Sequence, residues 1–107
     1  MASLSTHVLD TALGKPATGV PVTLEHQGVR LGHGVTDQDG RVRDWGSPVS
    51  LASGTYRLMF AVGEYFGARG VTGFYSSITI EFLVGDDPHY HVPLLLGPFG
   101  YTTYRGS

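Results

Sequence analysis

Apolar residues recur at every second position in three windows, the signature of strands that bury one face. In Val20–His26, Val20, Val22 and Leu24 alternate with Pro21, Thr23 and Glu25. In Thr55–Val62, Tyr56, Leu58, Phe60 and Val62 share a face, with Arg57 and Met59 opposite. In Ser77–Val84, Ile78, Ile80, Phe82 and Val84 oppose Ser77, Thr79 and Glu81. Leu4–Leu9, Val29–Thr36, Tyr90–Leu96 and Tyr101–Tyr104 supply the other candidates, seven or eight strands in all. In the first of these, Leu4, Thr6 and Val8 oppose Ser5, His7 and Leu9. If the former set faces the core, His7 faces outward, toward solvent or a partner subunit.

Turn chemistry separates the windows. Leu13-Gly14-Lys15-Pro16-Ala17, Asp37-Gln38-Asp39-Gly40 and Gly85-Asp86-Asp87-Pro88 place Asx residues, Gly and Pro where the backbone must bend. Gly63–Gly70 is the one stretch that reads as helix, about two turns and marginal alone. No linker, repeat or low-complexity tract interrupts residues 1–107. The pattern predicts an all-β fold, a single sandwich domain of two sheets. Such sheets have edges, and Tyr101–Tyr104, short and aromatic with few charges, is a candidate for edge-to-edge dimerisation.

Composition adds limits. A chain of 107 residues is long enough for one core. Sixteen glycines among bursts of β-branched and aromatic residues fit a turn-rich β domain. There are no cysteines, so disulfides and thiolate metal sites are excluded. A formal net charge of −2 argues against a nucleic-acid partner. No apolar run approaches membrane-spanning length. The first residues lack a basic flank and hydrophobic stretch, and the chain closes on Arg-Gly-Ser rather than a Ser-Lys-Leu address, so a cytoplasmic protein is expected.

Candidate chemistry gathers near the end of the chain. His89 and His91, two apart on a strand, share a face, and Tyr104-Arg105-Gly106-Ser107 follows on the final strand-like run. Histidine exchanges protons near neutral pH. His26 and His33, beside Gln27-Gly28 and the Gly32/Gly34 pair, read as ordinary surface residues. His89, His91 and a third histidine would suffice for an open zinc site, but the carboxylates that usually steady such ligands are missing apart from Asp86 and Asp87. Arg41 either neutralises the acidic turn before it or uses its planar fork on a flat polar substrate. Ser107 has no sequence-local base, and no GxSxG, HExxH or phosphate-binding glycine motif is present.

Four separated blocks stand out: Leu4–Ala17 (LSTHVLDTALGKPA), Thr36–Val42 (TDQDGRV), His89–Leu96 (HYHVPLLL) and the closing Tyr104–Ser107 (YRGS). Together they resemble the 5-hydroxyisourate hydrolases, the transthyretin-related enzymes of urate breakdown. The alternative is transthyretin itself, a hormone carrier of the same fold. That carrier has a lysine where this chain has His7, and it does not end in Tyr-Arg-Gly-Ser. Gly97 departs from the family, which more often has serine before that proline.

The resemblance implies a transthyretin-like sandwich of two four-stranded sheets with one short helix, assembled as a homotetramer, a dimer of dimers, with sites in a channel between dimers. It implies hydrolysis of 5-hydroxyisourate at a lactam carbonyl, giving 2-oxo-4-hydroxy-4-carboxy-5-ureidoimidazoline, with no metal or other cofactor. It carries over His7, Arg41, His91 and Ser107 as catalytic residues and Tyr104, Arg105 and Gly106 as substrate-binding ones. His91, with His7 close by, would activate water. Arg41 would hold the substrate and stabilise developing negative charge, and Ser107 would orient the water or a histidine.

Overall fold

The computed structural model describes residues 1–107 and contains eight strands and one helix. The strands are β1 (Ser3–Asp10), β2 (Lys15–Pro16), β3 (Pro21–His26), β4 (Val29–Val35), β5 (Gly54–Phe60), β6 (Ile78–Val84), β7 (His89–Leu96) and β8 (Tyr101–Thr103), and the helix α1 (Val62–Ala68) joins β5 to β6. They form two four-stranded sheets, ordered β2-β1-β7-β8 and β4-β3-β5-β6.

The alternating windows behave as their pattern dictates. On β3, Val22 and Leu24 are fully buried, and on β5 so are Leu58 and Phe60, with Tyr56 nearly so. These join Val8, Leu94 and Leu96 from the other sheet in a core of 21 residues. Each such side chain contributes roughly 1.5–3 kcal/mol of hydrophobic stabilisation, so the facing sheets hold together without any cross-link. The β3–β4 hairpin turns on Gln27 (φ 50°) and Gly28 (φ 78°), the left-handed pair that a two-residue turn needs.

Beyond shifts of one residue at several strand ends, the differences from the sequence expectation lie at β5, α1 and β2. Strand β5 ends at Phe60, and Val62 opens the helix rather than closing the strand; it stays buried because Val62, Tyr65 and Phe66 form the helix's inward stripe. The helix correspondingly runs Val62–Ala68 instead of Gly63–Gly70. Lys15-Pro16, expected as turn, forms a short strand paired with Leu9 and Asp10. Behind it, buried Asp10 accepts a hydrogen bond from Tyr65 Oη (2.7 Å) and another from the Leu13 amide (3.0 Å), tying α1 to the first sheet. No helix is long and apolar enough to cross a membrane.

Strands β1 and β7 run parallel in an unbroken register from Ser3–His89 to Asp10–Leu96. Neighbours so far apart in sequence place the start of the chain beside its last quarter, and this pairing builds the site.

Candidate active site

Parity sets which side chains reach the outer face of the β2-β1-β7-β8 sheet. On β1, Thr6, Val8 and Asp10 are buried, which turns Ser3, Ser5 and half-buried His7 outward. On β7, Tyr90, Val92, Leu94 and Leu96 enter the core, which turns exposed His89 and half-buried His91 outward. Ser5 pairs with His91 and His7 with Pro93. His7 and His91 are therefore diagonal neighbours on one face, with Cα atoms about 8 Å apart by strand spacing and rise.

Two isolated bridges extend this face on either side: Arg41 pairs antiparallel with His7, and Gly106 pairs antiparallel with His91. Directly opposed residues of antiparallel segments share a face. Arg41, His7, His91 and Gly106 thus stand on four adjacent backbone segments, roughly 15 Å from first to last.

The turn that delivers Arg41 is organised by Asp37. Its Oδ1 accepts from the amides of Asp39 (2.9 Å) and Arg41 (3.1 Å), and its backbone amide donates to the Arg41 carbonyl (2.8 Å). The Arg41 amide is the main reason the Asp37 carboxyl lies below its ordinary pKa. Gly40 has φ +75°, and a Cβ there would fall 2.3 Å from the Val8 carbonyl oxygen and 3.3 Å from His7 Cδ2. Only glycine lets the turn press this closely against His7. Neutralising the acidic turn falls to Arg43, whose Nε donates to Asp37 at 2.7 Å and whose guanidinium reaches Asp39 at 3.1 Å. Arg41 is outside that ion-pair cluster, and its guanidinium instead acts on His91. The His91 pKa is lowered, first by burial, next by the positive charge of Arg41, with smaller contributions from His7 and His89; hydrogen bonding to the Ser5 backbone pulls the other way. These influences bias His91 toward its neutral form, the one that accepts a proton.

Pro93 shapes the final segment. It has no N–H for the ladder, and regular β8 stops at Thr103, opposite Leu94. Thr103 Oγ1 donates to the Pro93 carbonyl (2.7 Å), and the chain rejoins β7 in the same register at Gly106, whose amide donates to the His91 carbonyl (2.9 Å). Arg105 ion-pairs with Asp87 (3.1 Å) and lies over the Tyr90 ring, 4.6 Å from its centroid. Tyr104 and Ser107 are exposed.

A cleft of about 250 Å³ touches His91 and is lined by Tyr104, Arg105, Ile80, Phe82 and Leu83 among others. It opens between the free edges β6 and β8, and none of the four cavities in the chain includes His7 or Arg41. The polar residues occupy an open sheet face.

Histidines outside this face have local partners: the His26 ring stacks on Tyr56 with centroids 4.3 Å apart, and His33 Nδ1 meets Thr23 Oγ1 at 3.0 Å. No three His, Asp or Glu side chains converge as a metal-ligand set. Sequence reasoning did not single out Ser3 and Ser5, whose hydroxyls contact His89 and His91. Their shared parity with His7 was visible, but the parallel β1–β7 pairing that makes them neighbours was not.

A family model described as HIUase/Transthyretin family matches residues 4–106. A protein of Caulobacter vibrioides named 5-hydroxyisourate hydrolase is 46% identical over 116 residues, spanning all of both chains. The structure of Klebsiella pneumoniae 5-hydroxyisourate hydrolase superimposes with a TM-score of 0.91 at 38% identity, covering 100% of this chain and 94% of that one. Sea bream transthyretin in complex with thyroxine superimposes at 0.87 with 28% identity, covering 98% and 95%. The two sheets, the short helix and the near full-length matches agree: the chain belongs to the HIUase/Transthyretin family.

Proposed function

We propose that this chain, a hydrolase of the family, opens the six-membered ring of 5-hydroxyisourate by adding water to a lactam carbonyl, yielding 2-oxo-4-hydroxy-4-carboxy-5-ureidoimidazoline. The observation that carries the reading is the placement of His7, His91 and Arg41 on one sheet face, with His91 biased toward its neutral form. A lactam is a poor electrophile, so its hydrolysis needs a base for the attacking water and a donor for the developing oxyanion. His91, with His7 beside it, activates the water. Arg41, outside the ion pairs of its own turn, holds the flat oxygen-rich substrate and stabilises the negative charge as it forms. Gly106 fixes the final segment against His91, Tyr104 and Arg105 shape that flank, and Ser107 orients the water or a histidine.

The open face and the two free edges support assembly as a homotetramer, a dimer of dimers. Leu83 on β6 is 77% exposed and Tyr101 on β8 is 42% exposed, and both edges border the same apolar cleft. A second copy added along these edges would extend both sheets and close the cleft. A further pair across the histidine face would enclose the substrate, which one chain alone leaves in solvent.

The test is the spectroscopic decay of 5-hydroxyisourate freshly generated from urate. Acceleration by catalytic amounts of the protein is expected, and a rate equal to buffer overturns the reading. Tight binding of thyroxine without turnover would assign the chain to the carriers instead.

A further inference from the structure

Between β1 and β7 the outer face carries an uninterrupted hydrogen-bonded chain: Ser3 Oγ contacts His89 Nδ1 (2.5 Å), His89 Nε2 contacts Ser5 Oγ (2.9 Å), and Ser5 Oγ contacts His91 Nδ1 (2.7 Å). The parallel register creates it, because Ser3 pairs with His89 and Ser5 with His91, so that hydroxyl and imidazole alternate along one diagonal. Each hydroxyl has one proton, and each neutral imidazole has one N–H. With both rings neutral, three arrangements supply one proton to every contact, because the Ser5 oxygen can also accept from both rings, and two of the three put the His91 proton on Nδ1.

The far end of the chain separates them. Ser3 Oγ also lies 3.4 Å from the Pro88 carbonyl oxygen, which already accepts from the Ser3 amide at 2.9 Å and has a second lone pair. The Ser3 hydroxyl proton adds a second bond to that carbonyl only if His89 Nδ1–H donates to Ser3. His89 Nε2 is then bare and accepts from the Ser5 hydroxyl, and Ser5 Oγ in turn accepts from His91 Nδ1–H. The other two arrangements spend the Ser3 proton on His89, so this is the only one that supplies a proton to all four contacts.

We infer that Ser5, backed by His89 and Ser3, is a positioning residue that fixes His91 as the Nδ1–H tautomer and leaves its Nε2 lone pair as the base that takes the proton of the attacking water. The inference deepens the hydrolase reading and rests on it for the rate consequences. Free neutral histidine favours the opposite tautomer, with the proton on Nε2, which would offer the substrate an N–H instead of a base. Gly106 closes against the Cδ2 edge of the same ring, so His91 is gripped on one side by a hydroxyl and on the other by backbone. When Nε2 gains a proton, the chain gives the imidazolium a hydroxyl acceptor at Nδ1, and exposed His89 and Ser3 connect it to solvent.

Ring-nitrogen NMR of the full protein tests the tautomer without any substrate. At a pH where His91 is neutral, its Nδ1 should resonate as protonated and its Nε2 as bare. Ser5→Ala should move His91 toward the Nε2–H form and lower kcat by the order of 10²-fold with little change in KM, while Ser5→Thr, which retains the hydroxyl, should recover both. Ser3→Ala, at the exposed end, should weaken the Nδ1–H preference while leaving the thermal melt unchanged. Finding Nε2–H in the parent protein, or an unaltered tautomer and kcat in Ser5→Ala, overturns the inference. If the parent fails to hydrolyse 5-hydroxyisourate yet shows the Nδ1–H tautomer, the functional reading fails and the positioning chain stands.

Discussion

Gly106 closes over His91: its amide donates to the His91 carbonyl at 2.9 Å, and a Cβ on the glycine would fall only 2.4 Å from the imidazole Cδ2. The two residues oppose each other on one face, so any side chain at 106 would drive into the ring. Relief has to come from the ring or from the final segment, because the obstacle is no flexible side-chain tip. Gly106→Ala should therefore displace His91 and lower kcat, and displacement on the scale of 1 Å is worth about 10²-fold. The core beneath is untouched, so the thermal transition should move little. Parallel kinetic and melting measurements check this; normal turnover would show that the segment does not determine where His91 sits.

Burial and the Arg41 guanidinium both disfavour a proton on His91, so its pKa lies below the ordinary histidine value of about 6.5. The acid limb of kcat/KM should accordingly fall at a lower pH than an unperturbed histidine would give. The linkage has a defined sign. The unfolded chain takes up this proton before the folded one does, so stability declines as pH falls through the unfolded pKa and levels off below the folded one. Arg41→Gln should raise the His91 pKa toward 6.5 without restoring it fully, since burial is the larger cause. NMR titration of His91 reads the shift, and no change on removing the guanidinium would separate Arg41 from this histidine.

Arg41 and Arg43 lie two residues apart and should divide cleanly. Arg43 holds the acidic turn through exposed ion pairs to Asp37 and Asp39. Arg43→Gln should leave kcat/KM near the parent value and change stability only slightly, as exposed pairs generally do. Arg41→Gln should leave the melting temperature alone and cost about 10²–10³-fold in kcat, the range for removing one oxyanion donor. Equal kinetic losses in the two variants would mean that the turn, and not the guanidinium of Arg41, is what the reaction requires.

Much of this was legible in the sequence, for identifiable reasons. Period-two alternation is a local property, so the β3, β5 and β6 windows and the outward parity of His7 could be read directly. The four motif blocks indicated the family and contain His7, Arg41, His91 and Gly106, which share the sheet face; Tyr104, Arg105 and Ser107 lie exposed beside it. Non-local geometry was hidden. Nothing in Leu4–Leu9 announces a parallel partner more than 80 residues away, and without that partner Ser3 and Ser5 are unremarkable hydroxyls. The same blindness left the role of Arg43 unseen, because an arginine four residues after Asp39 and six after Asp37 reaches back to both only when that turn is folded. Val62 was misplaced because an inward apolar residue fits the end of a strand and the start of a helix equally well.

Tyr65 and Asp10 form a buried link between the helix and the first sheet that takes no part in the chemistry. The phenol donates to Asp10 Oδ2 at 2.7 Å, and burial together with this bond pushes the Tyr65 pKa up to about 12, so it remains a donor throughout the neutral range. Tyr65→Phe strips a buried carboxylate of one partner and should cost about 1–3 kcal/mol of stability. Chemical denaturation measures the cost, and kcat should be retained under folding conditions. A variant as stable as the parent would mean that Asp10 finds a replacement donor.

Leu83 tests the edges. It projects from β6, the unpaired border of its sheet, is 77% exposed, and lines the same cleft as Thr103 and Tyr104 at the other free edge. A lysine here places a charge where a second copy would extend the sheet, the device by which natural edges avoid pairing. No core contact is lost, so Leu83→Lys should keep the β-sheet circular dichroism and the chain's fold. It should nevertheless sediment as a smaller species than the parent and lose activity together with the assembly, since a single chain leaves His7, Arg41 and His91 on an open face. High protein concentration should restore both in proportion, by mass action. If Leu83→Lys sediments like the parent, the subunits meet elsewhere; if it dissociates and still turns over at full rate, one chain is a complete catalyst and the open face needs no cover.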